Sequence, residues 1–139
     1  MKASIKHYKA EDEYFFVEGC HINELHNSGN DPDCSIARAR VSPGVTTAWH
    51  QLTNTVERYV IIEGKGRAEI EGLAPTTVGP GDVVNIPANA QQRICNTGKE
   101  DLIFLAICTP RFDEKNYVPE TSHKTPINRA SYNSQTKEK

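Results

Sequence analysis

At 139 residues, with 37% hydrophobic and 24% charged side chains and a formal charge of −2, the chain is sized for one soluble globular domain. That balance leaves no basic footprint for nucleic acid or for an anionic membrane surface. No apolar run approaches the ~20 residues of a membrane-spanning helix, and the N-terminal MKASIKHYKAEDEYFF has no export-signal core, so a cytoplasmic location is expected.

In chain order, the candidate strands are YFFVEG (14–19), HINELH (21–26), SIARARV (35–41), TTAWHQL (46–52), ERYVIIEG (57–64), RAEIEG (67–72), DVVNIP (82–87), QQRICN (91–96) and DLIFLAIC (101–108). They are rich in Val, Ile, Tyr, Phe and Thr, and turn segments such as NSGNDPD, SPG, EGKG, GLAPT, GPGD and NTGKED separate them. No segment carries the 3.6-residue apolar period of a helix. An all-β sandwich or barrel is predicted, one that closes or stacks its sheets to remove open edges. DLIFLAIC is nearly continuous in apolar residues and reads as a strand covered on both faces.

After Asp113 the composition turns polar, and the domain division is placed there: residues 1–112 form a single barrel with its N-terminal strands, and residues 113–139 form a polar tail or arm. Two readings of that segment stand, a loose tail or an arm on the barrel that uses Tyr117, Val118 and Ile127. The four cysteines, Cys20, Cys34, Cys95 and Cys108, form no CxxC pair and are expected as reduced, mostly buried thiols.

The stretch PGVTTAWHQLTNTVERYVIIEGKG (43–66) carries the chemistry. Side chains two apart on a strand share a face, so His50 points with Leu52, and Glu57 with Tyr59 and Ile61. A hairpin between Leu52 and Glu57 would bring His50 and Glu57 together on an inner face. Arg38 and Arg40 share one face of SIARARV: outward they are a solvated pair, inward they clamp a carboxylate or phosphate. Trp49 and Arg93 point away from their neighbours His50 and Gln92, while His21 and His26 fall on opposite faces of a regular strand.

Gly44, five residues, His50, one residue, Leu52, four residues, Glu57, six residues and Gly64 resemble the first motif of the cupin superfamily. Downstream, GDVVNIPANAQQRICN (81–96) resembles the second, through Gly81, Pro87 and Asn96. The motifs and their strands cover roughly residues 35–110. Three motif places differ: Leu52 and Gln92 stand where histidines are usual, and Asn89 stands where glycine is usual.

The resemblance implies a double-stranded β-helix (jelly-roll) barrel, often paired as a homodimer, with a small-molecule ligand in its mouth. It further implies a divalent metal (Fe, Mn, Zn or Ni) on His50, Glu57 and Gln92. Such a metal would bind weakly, because leucine donates nothing and a neutral amide oxygen is a poorer ligand than imidazole. On this reading the protein is a metal-dependent oxygenase, isomerase or decarboxylase of a small polar or anionic substrate. Glu57 and Tyr59 are its catalytic candidates, and Arg38, Arg40 and Tyr59 bind substrate. The alternatives are a metal-free ligand-binding barrel without catalysis, and metal-free acid/base chemistry by Glu57 with His50 or Tyr59.

Overall fold

Short runs of β-branched and aromatic residues, cut by glycine and proline turns, form eleven strands within residues 1–120, the part of the chain described by the computed structural model. Two sheets result, antiparallel at every pairing. One holds, in spatial order, β1 (Tyr14–Phe16), β2 (Cys20–His26), β3 (Ser35–Val41), β10 (Leu102–Thr109), β5 (Val56–Glu63) and β8 (Val83–Ile86). The other holds β11 (Tyr117–Pro119), β4 (His50–Leu52), β9 (Gln92–Asn96), β6 (Gly66–Ile70) and β7 (Leu73–Val78). From β3 to β6 the chain passes to the opposite sheet at each step, so the two sheets face each other and enclose one core. This is the all-β jelly roll that the sequence predicts.

The core follows from alternation. Along β5, Glu57, Tyr59 and Ile61 are buried while Arg58 and Val60 are only partly so. Ile61, Ile86, Ile94, Leu102 and Phe104 are each almost fully enclosed, and each buried aliphatic or aromatic side chain contributes about 1.5–3 kcal/mol. The motif glycine Gly64 has φ 92°, and a Cβ there would lie 2.6 Å from the Asp101 carbonyl oxygen. Asn89, at the place where the second motif usually has glycine, has φ 69°. Asparagine tolerates that left-handed conformation better than most residues, and its Oδ1 accepts from the Asn54 amide at 2.9 Å.

Several boundaries differ from the sequence expectation. TTAWHQL is not one strand: only His50–Leu52 is regular, with an isolated bridge between Thr46 and Cys95. GLAPT was expected as a turn, yet Leu73–Val78 is β7. β7 pairs only with β6 at the sheet edge, and an edge tolerates the missing donor of Pro75. β11, absent from the expected strands, arises from the polar segment after Asp113 and pairs with β4, Tyr117 opposite Leu52 and Pro119 opposite His50. Ile127 lies outside the described residues. In β10, Phe104, Ala106 and Cys108 are buried, while Leu105 and Ile107 on the other face are only half-covered. All four cysteines are free thiols. No helix among the described residues is long and apolar enough to cross a membrane.

Candidate functional site

A cavity of about 50 Å³ opens at one end of the cup, between the N-terminal strands, β4, β5, β10 and β11. Its polar wall is made by Glu18, Glu24, Ser35, His50, Glu57 and Cys108. His50 and Glu57 do not meet as hairpin neighbours. The link between Leu52 and Val56 crosses from one sheet to the other, so β4 and β5 face each other and the two side chains approach the cavity from opposite walls.

Each is fixed from behind. The Nδ1 of His50 faces the Ala48 carbonyl at 2.7 Å. A carbonyl only accepts, so that nitrogen carries a proton and Nε2 is the nitrogen turned to Glu18 Oε1 at 3.2 Å. The two side chains lie as a close pair that attracts when the imidazole is protonated, without the alignment of a hydrogen bond. Glu18 also accepts from the Cys20 thiol at 3.1 Å. The Tyr117 ring lies over His50, centroids 5.1 Å apart and planes 23° from parallel.

Glu57 is buried at the start of β5. Its Oε1 accepts from the Gln92 side-chain amide at 2.8 Å, and the Gln92 oxygen accepts from the Tyr59 hydroxyl at 2.5 Å. Among the described residues its Oε2 has only the Cys108 thiol, 3.7 Å away. Burial pushes the Glu57 carboxyl up to about 7, against the downward pull of His50 and of the Gln92 hydrogen bond. Burial also drives the Tyr59 phenol well above its usual range, with the Glu57 charge adding to it. The Cys108 thiol is raised by burial and by Glu57, and so serves as a proton donor.

Of the residues singled out in the sequence, His50 and Glu57 line the cavity. Tyr59 and Gln92 do not. They are buried behind it as a relay to Glu57, which places Tyr59 as a support for Glu57 and not as a contact to a molecule in the cavity. Arg38 and Arg40 also stand apart from it. Ser35 and Ala37 of β3 face the cavity, while Arg38 and Arg40 take the outer face. Arg40 binds Glu13 through Nε and Nη2 at 2.9 and 2.7 Å and reaches Asp101 at 3.3 Å, and Arg38 lies 3.7 Å from Glu13. His21 packs edge-on against Phe15, and His26 pairs with Asp31 at 2.7 Å. Trp49 is buried on the far side of β4, with the Arg93 guanidinium 4.5 Å from its ring centroid.

Glu18, Glu24, Tyr14, Phe16 and Phe112 of the lining are absent from the sequence-derived candidates. A signal for three of them existed: Tyr14 and Phe16 are two apart on one strand, as are Ile22 and Glu24 on the next, and all four line the cavity. Only the turn between β1 and β2 hides that one face continues through both.

The donor set does not fit the metal that the motif resemblance implies. The Gln92 oxygen accepts from Tyr59 and its amide donates one hydrogen bond to Glu57, and Leu52 has no donor. Among the described residues no three His, Cys, Asp or Glu side chains gather as ligands for one ion.

A family model described as a cupin domain matches residues 37–108. Among solved structures, KdgF from Halomonas sp. superposes with a TM-score of 0.71 at 18% identity, over 82% of this chain and 99% of that one. Pac13, a nucleoside dehydratase solved from Streptomyces with uridine in one variant, superposes with a TM-score of 0.67 at 17% identity, over 88% of this chain and 98% of that one. Oxalate decarboxylase gives 0.69 at 23% identity, over 88% of this chain but 35% of that one. At these identities the likeness is one of fold. Among curated protein sequences none matches the chain.

Proposed function

The chain belongs to the cupin domain family, and from that premise we propose that it is a metal-independent acid/base enzyme acting on a small polar molecule held in the cup. The observation that carries this is the pairing of two proton-bearing groups, His50 and Glu57, on opposite walls of one cavity, each oriented by partners behind it. A general acid or base works best with a proton affinity near the operating pH, and burial brings Glu57 there. The Oε2 of Glu57, whose contact is the Cys108 thiol at 3.7 Å, is the atom that takes or returns the proton. His50, with Nδ1 committed to Ala48, works through Nε2, beside the Glu18 carboxyl.

Elimination of water or isomerisation fits this geometry. One group removes a C–H proton as the carbon double bond forms, and the other protonates the departing hydroxyl, or returns a proton one carbon further along. That a nucleoside dehydratase has the same fold supports the class of chemistry and says nothing about the substrate. The second reading, a metal-free binding pocket without turnover, is favoured by one contact: His50 Nε2 already faces a carboxylate.

Proton nuclear magnetic resonance in D2O separates the two. Chelator-treated protein is incubated with a panel of small polyols, hydroxyketones, hydroxy acids and amino alcohols. Exchange or water loss in at least one compound, reduced by a hundredfold or more in Glu57→Gln, is expected. Turnover that persists in Glu57→Gln, or that requires added metal, overturns the proposal.

A further inference from the structure

Resting on the same cavity, we propose that the molecule it takes carries a small organic cation, an alkylammonium group, seated among Tyr14, Phe16, Phe112 and Tyr117 and faced by Glu24 and Glu57. Three independent features of the wall converge on that chemistry.

The first is charge. Three carboxylates, Glu18, Glu24 and Glu57, line the cavity, with one imidazole and no lysine or arginine. The imidazole is matched by Glu18, so the surplus on the wall is negative. The nearby guanidinium groups are held elsewhere: Arg40 by Glu13 and Asp101, Arg111 by the Asn27 side-chain oxygen at 2.7 Å, and Arg58 by the Thr109 hydroxyl at 2.7 Å. An anion entering here meets mostly like charge, with His50 as the basic group among the described lining, whereas a cation meets the Glu24 and Glu57 carboxyls. Lys6 and Arg111 lie outside that lining, Lys6 on the Glu24 backbone oxygen and Arg111 on Asn27, which donates to Glu24. This reverses the anionic substrate that inward-facing arginines would have implied.

The second is the aromatic wall. Phe16 stands at its centre, with the Tyr14, Phe112 and Tyr117 rings set at 77°, 84° and 78° to its plane and centroids 6.5, 6.3 and 5.1 Å away. These crossed rings all line the cavity, and the Tyr117 ring also lies over His50. A cation over such faces is attracted by their quadrupoles, and aromatic cages are how quaternary ammonium groups are held. The phenols stay neutral: burial, with Glu24 beside it, pushes Tyr14 up to about 12, and burial raises Tyr117 further.

The third is size and open valence. A cavity of about 50 Å³ admits a head group of a few heavy atoms. Within reach of that space Glu57 Oε2 lacks any partner among the described residues except the distant Cys108 thiol. Glu24, by contrast, already accepts from the Tyr14 hydroxyl at 3.3 Å, which ties one carboxylate to the aromatic wall.

Titration calorimetry with three probes of similar bulk tests this: tetramethylammonium, its neutral counterpart tert-butanol, and the pivalate anion. Tetramethylammonium should bind saturably, at least tenfold more tightly than tert-butanol, and pivalate should not bind. Phe16→Leu, which keeps an apolar side chain but removes the central ring, should weaken tetramethylammonium about tenfold, the order of one desolvated cation–π contact. Circular dichroism of the variant checks that it folds, and the three-probe contrast in the unmodified protein stands without it. Pivalate or tert-butanol binding as tightly as the cation, no saturable binding of the cation, or an unchanged affinity in folded Phe16→Leu would each overturn the inference. Failure here, with D2O exchange still abolished in Glu57→Gln, would leave the acid/base proposal standing and remove only the substrate class.

Discussion

Glu57 gives the protein a measurable pH dependence of stability. A glutamate carboxyl ordinarily titrates near 4.5, and here burial raises it to about 7. Below pH 4.5 folded and unfolded chains both hold the proton, and the protonated side chain is accommodated in full. Between pH 4.5 and 7 the unfolded chain releases it while the folded chain keeps it, so stability falls as pH rises. Above 7 both are ionised and the loss is complete. At about 1.4 kcal/mol per pH unit the separation amounts to about 3 kcal/mol. Glu57→Gln keeps the shape and the acceptor for Gln92 but does not titrate. His50, which pulls the carboxyl down, and Glu18, which pushes it up, remain in both proteins, so the difference between them isolates Glu57. Urea unfolding of both proteins should show the advantage of the parent over the variant shrinking by about 3 kcal/mol from pH 4 to pH 8. In thermal melts the same change is roughly 10 °C for a chain of this size. Curves for the two proteins that run parallel across this range would mean that Glu57 is not a buried, underpartnered carboxyl.

Three further outcomes follow from the contacts. Tyr59→Phe leaves the buried Gln92 oxygen without a donor and should lower stability by about 1–3 kcal/mol in urea unfolding at an unchanged slope. Gly64→Ala meets both a φ of 92° and a backbone oxygen 2.6 Å from the new Cβ, so its melting temperature should fall by more than strain alone, about 1–3 kcal/mol, would give. Nickel or zinc should leave the melting temperature of the parent protein unchanged and raise that of the Leu52→His, Gln92→His double variant, because only the latter presents imidazoles at both departed places. Chelator should likewise leave the parent unchanged.

Much of the fold was legible because alternation survives wherever a strand lies between core and solvent. The expected strand at 35–41 is β3 to the residue, and the parity of Glu57, Tyr59 and Ile61 holds in β5. β7 and β11 were not legible, since LAPTTV and YVP contain prolines that a central strand excludes and an edge strand accepts. At the site, parity grouped the residues but not their partners. It set Arg38 with Arg40 but not on which side, a choice fixed by Glu13, distant in sequence, which holds both outside. Glu18 sits in a turn where no periodicity applies, and its pairing with His50 depends on a contact across 32 positions that no local pattern encodes.

Gln92 decides what kind of site this is. A cation fixed beside Glu57 in the unliganded protein, whether metal or guanidinium, would hold the carboxylate ionised and lower its proton affinity. Gln92 instead offers a neutral amide that is itself occupied by Tyr59, and one neutral hydrogen bond does not offset the cost of burying the charge. Leu52, which lines the same cavity, adds apolar surface where a second imidazole would have added a ligand. The two departures from the motif therefore act in the same direction. In place of a carboxylate fixed by a metal, they leave one that changes protonation near neutral pH, on a cavity where His50, the basic side chain among the described lining, stands beside Glu18.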